Sequence, residues 1–187
     1  MQNEIPFSLP DVEATLKLGR ALAHLALHSD LSVLLLQGDL GAGKTTLVRG
    51  LVLALPGGKT AEVASPSFTI CNLYSTNPPI HHYDLYRLEP FVTDERLEES
   101  LEDPVVLTIV EWSEHLSLHA LPAMTLLVHL AETKDRTTGQ SARLANCSVP
   151  IAGGEVLLPL LCDGWVHDKA VEAIECPGLD TPYKTQR

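Results

Sequence analysis

Leu31-Ser32-Val33-Leu34-Leu35-Leu36-Gln37-Gly38-Asp39-Leu40-Gly41-Ala42-Gly43-Lys44-Thr45-Thr46 is the stretch whose reading decides the fold. Its first half is a short apolar run, which predicts a buried strand over 31–37. Its second half fits G-x-x-x-x-G-K-[ST] from Gly38 to Thr45, and Leu47, Leu51 and Leu55 then recur at i, i+4 until Pro56-Gly57-Gly58 stops the helix. Strand, glycine loop, helix is the context in which this pattern cradles phosphate. Glycines reach dihedrals that other residues resist, so the N–H groups from Asp39, Leu40, Gly41, Ala42 and Gly43 into Lys44, Thr45 and Thr46 can point at phosphate oxygens. They do so at the positive end of the helix that starts at Lys44. Lys44 is expected to bridge the β and γ phosphates of a nucleotide, and Thr45 to offer its hydroxyl to Mg2+, a hard ion that needs few protein ligands.

Working outward, the spacing Ser8-Leu9-Pro10-Asp11 reads as a capping box ahead of an amphipathic helix that ends near His28. Downstream, a turn falls around 65–69, weak strand character runs over 68–74, and a second strand carries 81–86. A short helix is expected over 93–102, closed by Asp103-Pro104, and an apolar strand over 105–110 that ends in Glu111-Trp112. Residues 123–131 and 142–149 read as two strands of an antiparallel hairpin. The whole predicts an α/β, P-loop NTPase-like three-layer fold, with a mixed, largely parallel central sheet plus that hairpin. The domain is expected to span 1–150. Residues 151–187 then form a C-terminal extension of no assigned role, with one helix over 166–174 and a mobile last dozen residues.

A phosphate loop binds nucleotide without saying what becomes of the γ phosphate, so the other acidic groups decide the chemistry. Glu111 closes an apolar strand, where its carboxylate would emerge at the carboxyl edge of the sheet, the usual ligand position in open α/β folds. Asp84 lies in the polar and aromatic run His81-His82-Tyr83-Asp84-Leu85-Tyr86-Arg87, either as a site residue or in a surface pair with Arg87. The neighbouring histidines read as packing or exposed residues, because neutral imidazole is a poor ligand for magnesium.

Composition bounds the rest. The 187 residues are 45% hydrophobic, which excludes a disordered or collagen-like chain and allows one core. No apolar run nears the roughly 20 residues that span a bilayer. Residues 1–10 have no secretory pattern, so a cytoplasmic address is expected, with no membrane partner. The four cysteines are scattered, which favours reduced structural thiols. Twenty-four acidic against 13 basic residues, net −11, argue against a large phosphate-binding surface, so any RNA contact should run through a partner.

Several ordered motifs together resemble the TsaE family, the small ATPases of bacterial tRNA threonylcarbamoyladenosine (t6A) synthesis. They are Leu9-Pro10-Asp11 with Ala14-Thr15-Leu16 and Leu18-Gly19, the loop from Gly38 to Thr46, Ser65-Pro66-Ser67-Phe68, His82-Tyr83-Asp84-Leu85-Tyr86-Arg87, and Val110-Glu111-Trp112. The resemblance implies that Thr45 and Glu111 hold Mg2+, with Asp84 near the metal or the attacking water. It implies that Ser65 to Thr69 form a switch-like segment sensing the γ phosphate, and that the first helix approaches adenine around Val12. Two positions depart from the pattern. Ser67 stands in place of threonine, and Gln140 stands where arginine is common, so Arg143 becomes the candidate phosphate contact. The resemblance further implies ATP and Mg2+ as cofactors, TsaD and TsaB homologues as the partner complex, and tRNA reached only indirectly. Catalysis would rest on Lys44, Asp84 and Glu111, with either carboxylate orienting the water. The arginines at hand are Arg87, Arg136 and Arg143, so turnover is expected to be weak alone and partner-stimulated. Two rivals stay open: a nucleotide-gated binding module without essential hydrolysis, and a small-molecule kinase.

Overall fold

A computed structural model of the chain describes residues 4–88, 94–116, 121–134 and 141–167. Among them are seven strands and four α-helices, in the order β1 (Glu4–Leu9), α1 (Val12–His28), β2 (Val33–Gln37), α2 (Lys44–Ala54), β3 (Cys71–Tyr74), β4 (Ile80–Asp84), α3 (Glu95–Glu102), β5 (Leu107–Glu111), β6 (Thr125–Lys134), β7 (Ser141–Ser148) and α4 (Leu157–His167). The strands form one sheet in the order β1-β7-β6-β2-β5-β4-β3. Its middle is parallel, with β2 between β6 and β5 and β4 beyond β5, and its flanks are antiparallel, β6–β7–β1 on one side and β3 on the other. This is the predicted α/β class.

The run Val33–Leu36 is wholly buried because β2 sits at the centre and is covered on both faces. Leu34 and Leu36 join one core with α1, α2 and α4, while Val33 and Leu35 join a second with Leu97 of α3 and Leu116. These are the three layers. β5 is buried throughout, Glu111 included.

The reading of Ser8 as a helix cap is corrected. Ser8 lies in β1 opposite Leu144, and Asp11 caps α1, its carboxylate accepting from the Ala14 N–H at 2.8 Å. Ile5, Phe7 and Leu9 alternate inward, which is the signature of a strand buried on one face. Pro6 fits because β1 is an edge. A helix that the sequence reading did not expect lies at Leu157–His167. Its Trp165 is buried, edge-on to Phe7 at 5.1 Å, with the Lys17 ammonium 4.4 Å from its ring centroid. The expectations of a helix continuing to 174 and of a mobile last dozen residues fall on 168–187, which lie outside the described residues.

α1 and α2 cross at glycines. A Cβ on Gly50 would meet the Leu16 backbone, and one on Gly19 would lie 2.7 Å from the Leu51 nitrogen. Only bare backbone allows this approach, which seats α2, the helix that begins with Lys44 and Thr45, directly against α1. Among the described residues no helix is long and apolar enough to cross a membrane.

Candidate functional site

Three parallel strands deliver the site. β2 ends at Gln37 and enters the loop at Gly38, β4 ends at Asp84 and β5 at Glu111. Leu36 pairs with Glu111, and Glu111 with Asp84, so all three ends share the carboxyl edge of the sheet. Between them opens a cleft of about 500 Å³.

The loop has the backbone its glycines permit: Gly38, Gly41 and Gly43 all have positive φ, Gly43 at 106° as the residue before α2. A side chain at Gly38 would strike the Leu130 carbonyl. The first-turn N–H groups of α2 have no partner within the helix and no capping side chain, which leaves an anion site at its positive end. Lys44 is buried, and its Nζ donates to the carbonyls of Gly38 at 2.5 Å and Asp39 at 3.1 Å. The Trp112 ring centroid lies 4.0 Å from the same Nζ. Burial pushes the Lys44 amine below the usual lysine range, while Glu111, Glu114, Asp84 and Asp39 pull it back up.

The Thr45 hydroxyl donates to Glu111 Oε1 at 2.9 Å, and Nε2 of His82 lies 2.9 Å from that same oxygen. Asp84 is buried too. Its carboxylate accepts from the Ser65 hydroxyl and from the Tyr86 N–H at 2.9 Å. A surface Asp84–Arg87 pair is therefore excluded, and the Arg87 guanidinium instead lies 4.3 Å from the ring centroid of exposed Phe68.

Of the sequence-predicted residues, Leu40, Gly41, Gly43, Lys44, Thr45, Thr46, Asp84 and Glu111 line the cleft. Asp39 contributes its carbonyl to Lys44, and Ala42 is buried behind the loop. Arg143, on β7, runs alongside Gly43, its Nη2 3.5 Å from the Gly41 carbonyl and its Nε buried without a partner. Val12, the first residue of α1, is exposed and does not line the cleft. Arg136 and Gln140 fall outside the described residues.

This geometry sits within a recognised family. The family described as "Threonylcarbamoyl adenosine biosynthesis protein TsaE" matches residues 9–141. The chain belongs to the TsaE family. It is similar to proteins named "tRNA threonylcarbamoyladenosine biosynthesis protein TsaE" from Synechocystis, 44% identical over 121 residues (62% of this chain, 74% of that protein), and from Bacillus subtilis, 38% identical over 124 residues (66% and 75%). The protein of that name from Haemophilus influenzae is 35% identical over 130 residues, covering 65% of this chain and 78% of the other. The TsaE match takes in every strand that ends at the cleft, and α4 lies beyond it.

Residue spacing left Tyr86 and Trp112 unassigned, whereas Arg87 was among the arginines at hand. Tyr86 and Arg87 line the cleft from the segment after β4, and Trp112 lines it from a left-handed backbone position, φ 58°, immediately after Glu111. The third omission is His82, read as packing or exposed; it is fully buried and bonded to Glu111. Its signal was parity, since two residues before Asp84 on a strand means the same face.

Proposed function

We infer that this chain is an ATP-binding, ATP-hydrolysing accessory protein required for t6A modification of tRNA, acting on the complex of TsaD and TsaB homologues in the cytoplasm. The observation that carries the reading is the contact between the Thr45 hydroxyl and the Glu111 carboxylate at the lip of the glycine loop. A hydroxyl and a carboxylate are hard oxygen donors, and a site with few protein ligands beside a phosphate cradle suits magnesium. Thr45 and Glu111 would hold the ion, with Asp84 close by; once bound it neutralises charge on the β and γ oxygens and orients the phosphate chain.

The chain's own groups do the remaining work. The loop amides and the end of α2 bind the phosphate oxygens, and Lys44 exchanges its two carbonyl partners for the β and γ oxygens. Asp84 orients the attacking water, while the tyrosine and tryptophan at the mouth, Tyr86 and Trp112, exclude bulk solvent from the γ phosphate. Arg143, lying along Gly43, adds positive charge beside the cradle.

The decisive experiment measures ATP turnover and tRNA modification together, with the TsaD–TsaB complex present, for the unaltered chain, Lys44→Ala, Asp84→Ala and Glu111→Ala. All three variants should lose turnover and repeated modification cycles. A specific contact favours one rival. Ser65 is tied to Asp84, and Phe68 three residues on is exposed, so nucleotide occupancy could reach a partner surface without bond cleavage. If Glu111→Ala binds ATP, no longer hydrolyses it and still supports repeated cycles, the gating module replaces the ATPase.

A further inference from the structure

His82 has no part in the chemistry above, yet it underlies the site. It is the middle residue of β4 and fully buried. Its strand neighbours on the same face are apolar Ile80 and the carboxylate of Asp84, and across the sheet it pairs with Ile109. An apolar side chain would satisfy such a position. Instead an imidazole is kept there, with Nδ1 buried and without a hydrogen-bond partner, a loss that a residue serving only to fill space would not incur.

What it gains is one bond. Nε2 lies 2.9 Å from Glu111 Oε1, the oxygen already engaged by the Thr45 hydroxyl. A carboxylate only accepts, so the hydrogen of this bond sits on Nε2. Two donors on one oxygen, one from the glycine-loop helix and one from β4, leave the carboxylate little freedom to rotate about its flexible side chain.

We propose that His82 is a positioning residue for Glu111, holding the carboxylate in the single orientation in which it meets a divalent cation beside Thr45. This rests on the reading of the cleft as a magnesium–nucleotide site. The imidazole touches neither cation nor nucleotide; it acts through Glu111, as outer partners of metal ligands do.

The test uses the full chain and reads metal binding rather than turnover. Mn2+ is titrated against protein saturated with ADP, the free ion being followed by electron paramagnetic resonance, and ADP affinity is measured separately without metal. His82→Leu and His82→Asn, whose amide falls short of Glu111, should weaken Mn2+ binding about 10–100-fold, the range typical of outer partners. His82→Gln, whose amide reaches Glu111, should restore it to within about threefold of the unaltered chain. ADP affinity without metal should be the same in all. If His82→Leu fails to fold, the Asn and Gln pair still decides. Equal Mn2+ affinity in every variant, or a Gln variant as defective as Asn, would overturn the proposal and make His82 a packing residue. An unaltered chain that binds neither ADP nor Mn2+ would refute the site reading itself, and the role of His82 with it.

Discussion

Asp84 and Glu111 are register partners at the carboxyl ends of adjacent parallel strands, so their side chains leave the sheet on the same face, toward the helix that opens at Lys44. Their hydrogen bonds separate their tasks. Glu111 is bound to the loop helix through Thr45, whereas Asp84 is bound to the Ser65 segment and to the Tyr86 N–H.

That separation predicts two different kinetic defects. Glu111→Gln should raise the Mg2+ concentration needed for half-maximal turnover by about 10–100-fold, at least what an outer partner of a metal site is worth. Asp84→Asn should leave the Mg2+ requirement and ATP affinity near their original values and lower kcat about 10²-fold or more, as expected for the loss of a group that orients or deprotonates the nucleophile. Steady-state turnover with the partner complex, at varied Mg2+, distinguishes them. Identical defects in both variants would dissolve the division.

Lys44 supplies a prediction in pH. Burial holds its amine below the ordinary lysine value, so the nucleotide-free fold binds its proton less tightly than the unfolded chain does. The cost of keeping Lys44 charged in the fold is therefore full below the depressed value and is relieved as pH rises through it. A polyphosphate reverses the balance by placing anionic oxygens against the amine. ATP binding at a pH between the depressed value and the ordinary lysine value should then take up a proton, and below the depressed value this group should take up none. Calorimetry in two buffers of different ionisation enthalpy measures the uptake, and Lys44→Ala should abolish it. Proton release in the unaltered chain would contradict the assignment.

The crossing of α1 and α2 gives a stability prediction. Gly50→Ala places a methyl group against the Leu16 backbone, which cannot rotate away as a flexible side chain would. Overpacking of this kind costs about 1–3 kcal/mol, more than the ~1 kcal/mol that alanine gains over glycine in a helix. A lower denaturant midpoint is expected, with weaker ATP binding because α2 carries Lys44 and Thr45. An unchanged midpoint would mean that α1 and α2 can separate freely.

How much of this was legible from residues alone follows from the range of each interaction. The strand–loop–helix stretch is local, so the order of Leu36, Gly38, Gly43, Lys44 and Thr45 carries its geometry in the chain itself. Glu111 was legible because an apolar run ending in an acid marks a strand end. β1 was obscured because Ser8-Leu9-Pro10-Asp11 imitates a cap, although the inward alternation of Ile5, Phe7 and Leu9 was present. The bond from His82 to Glu111 spans 29 residues and exists only once β4 and β5 pair. α4 begins with Pro159 in its first turn, where proline is tolerated, so a residue that usually breaks helices sits near the start of this one.

α4 supplies the last prediction. Its Leu157, Leu161 and Trp165 are buried in the core shared by α1 and α2. Trp165 touches Phe7 of the edge strand and covers the Lys17 ammonium, which is itself almost wholly buried. Trp165→Ala would leave a cavity between α1 and α4 and expose Lys17, and truncating a buried tryptophan costs about 3–5 kcal/mol. Lys17→Met, similar in length and uncharged, should be tolerated far better, because it keeps the packing beneath the ring. Denaturant unfolding followed by circular dichroism should show one transition for both variants, shifted far more by Trp165→Ala. A shift of under about 0.5 kcal/mol, the range of ordinary surface substitutions, would mean that α4 lies on the domain without supporting it.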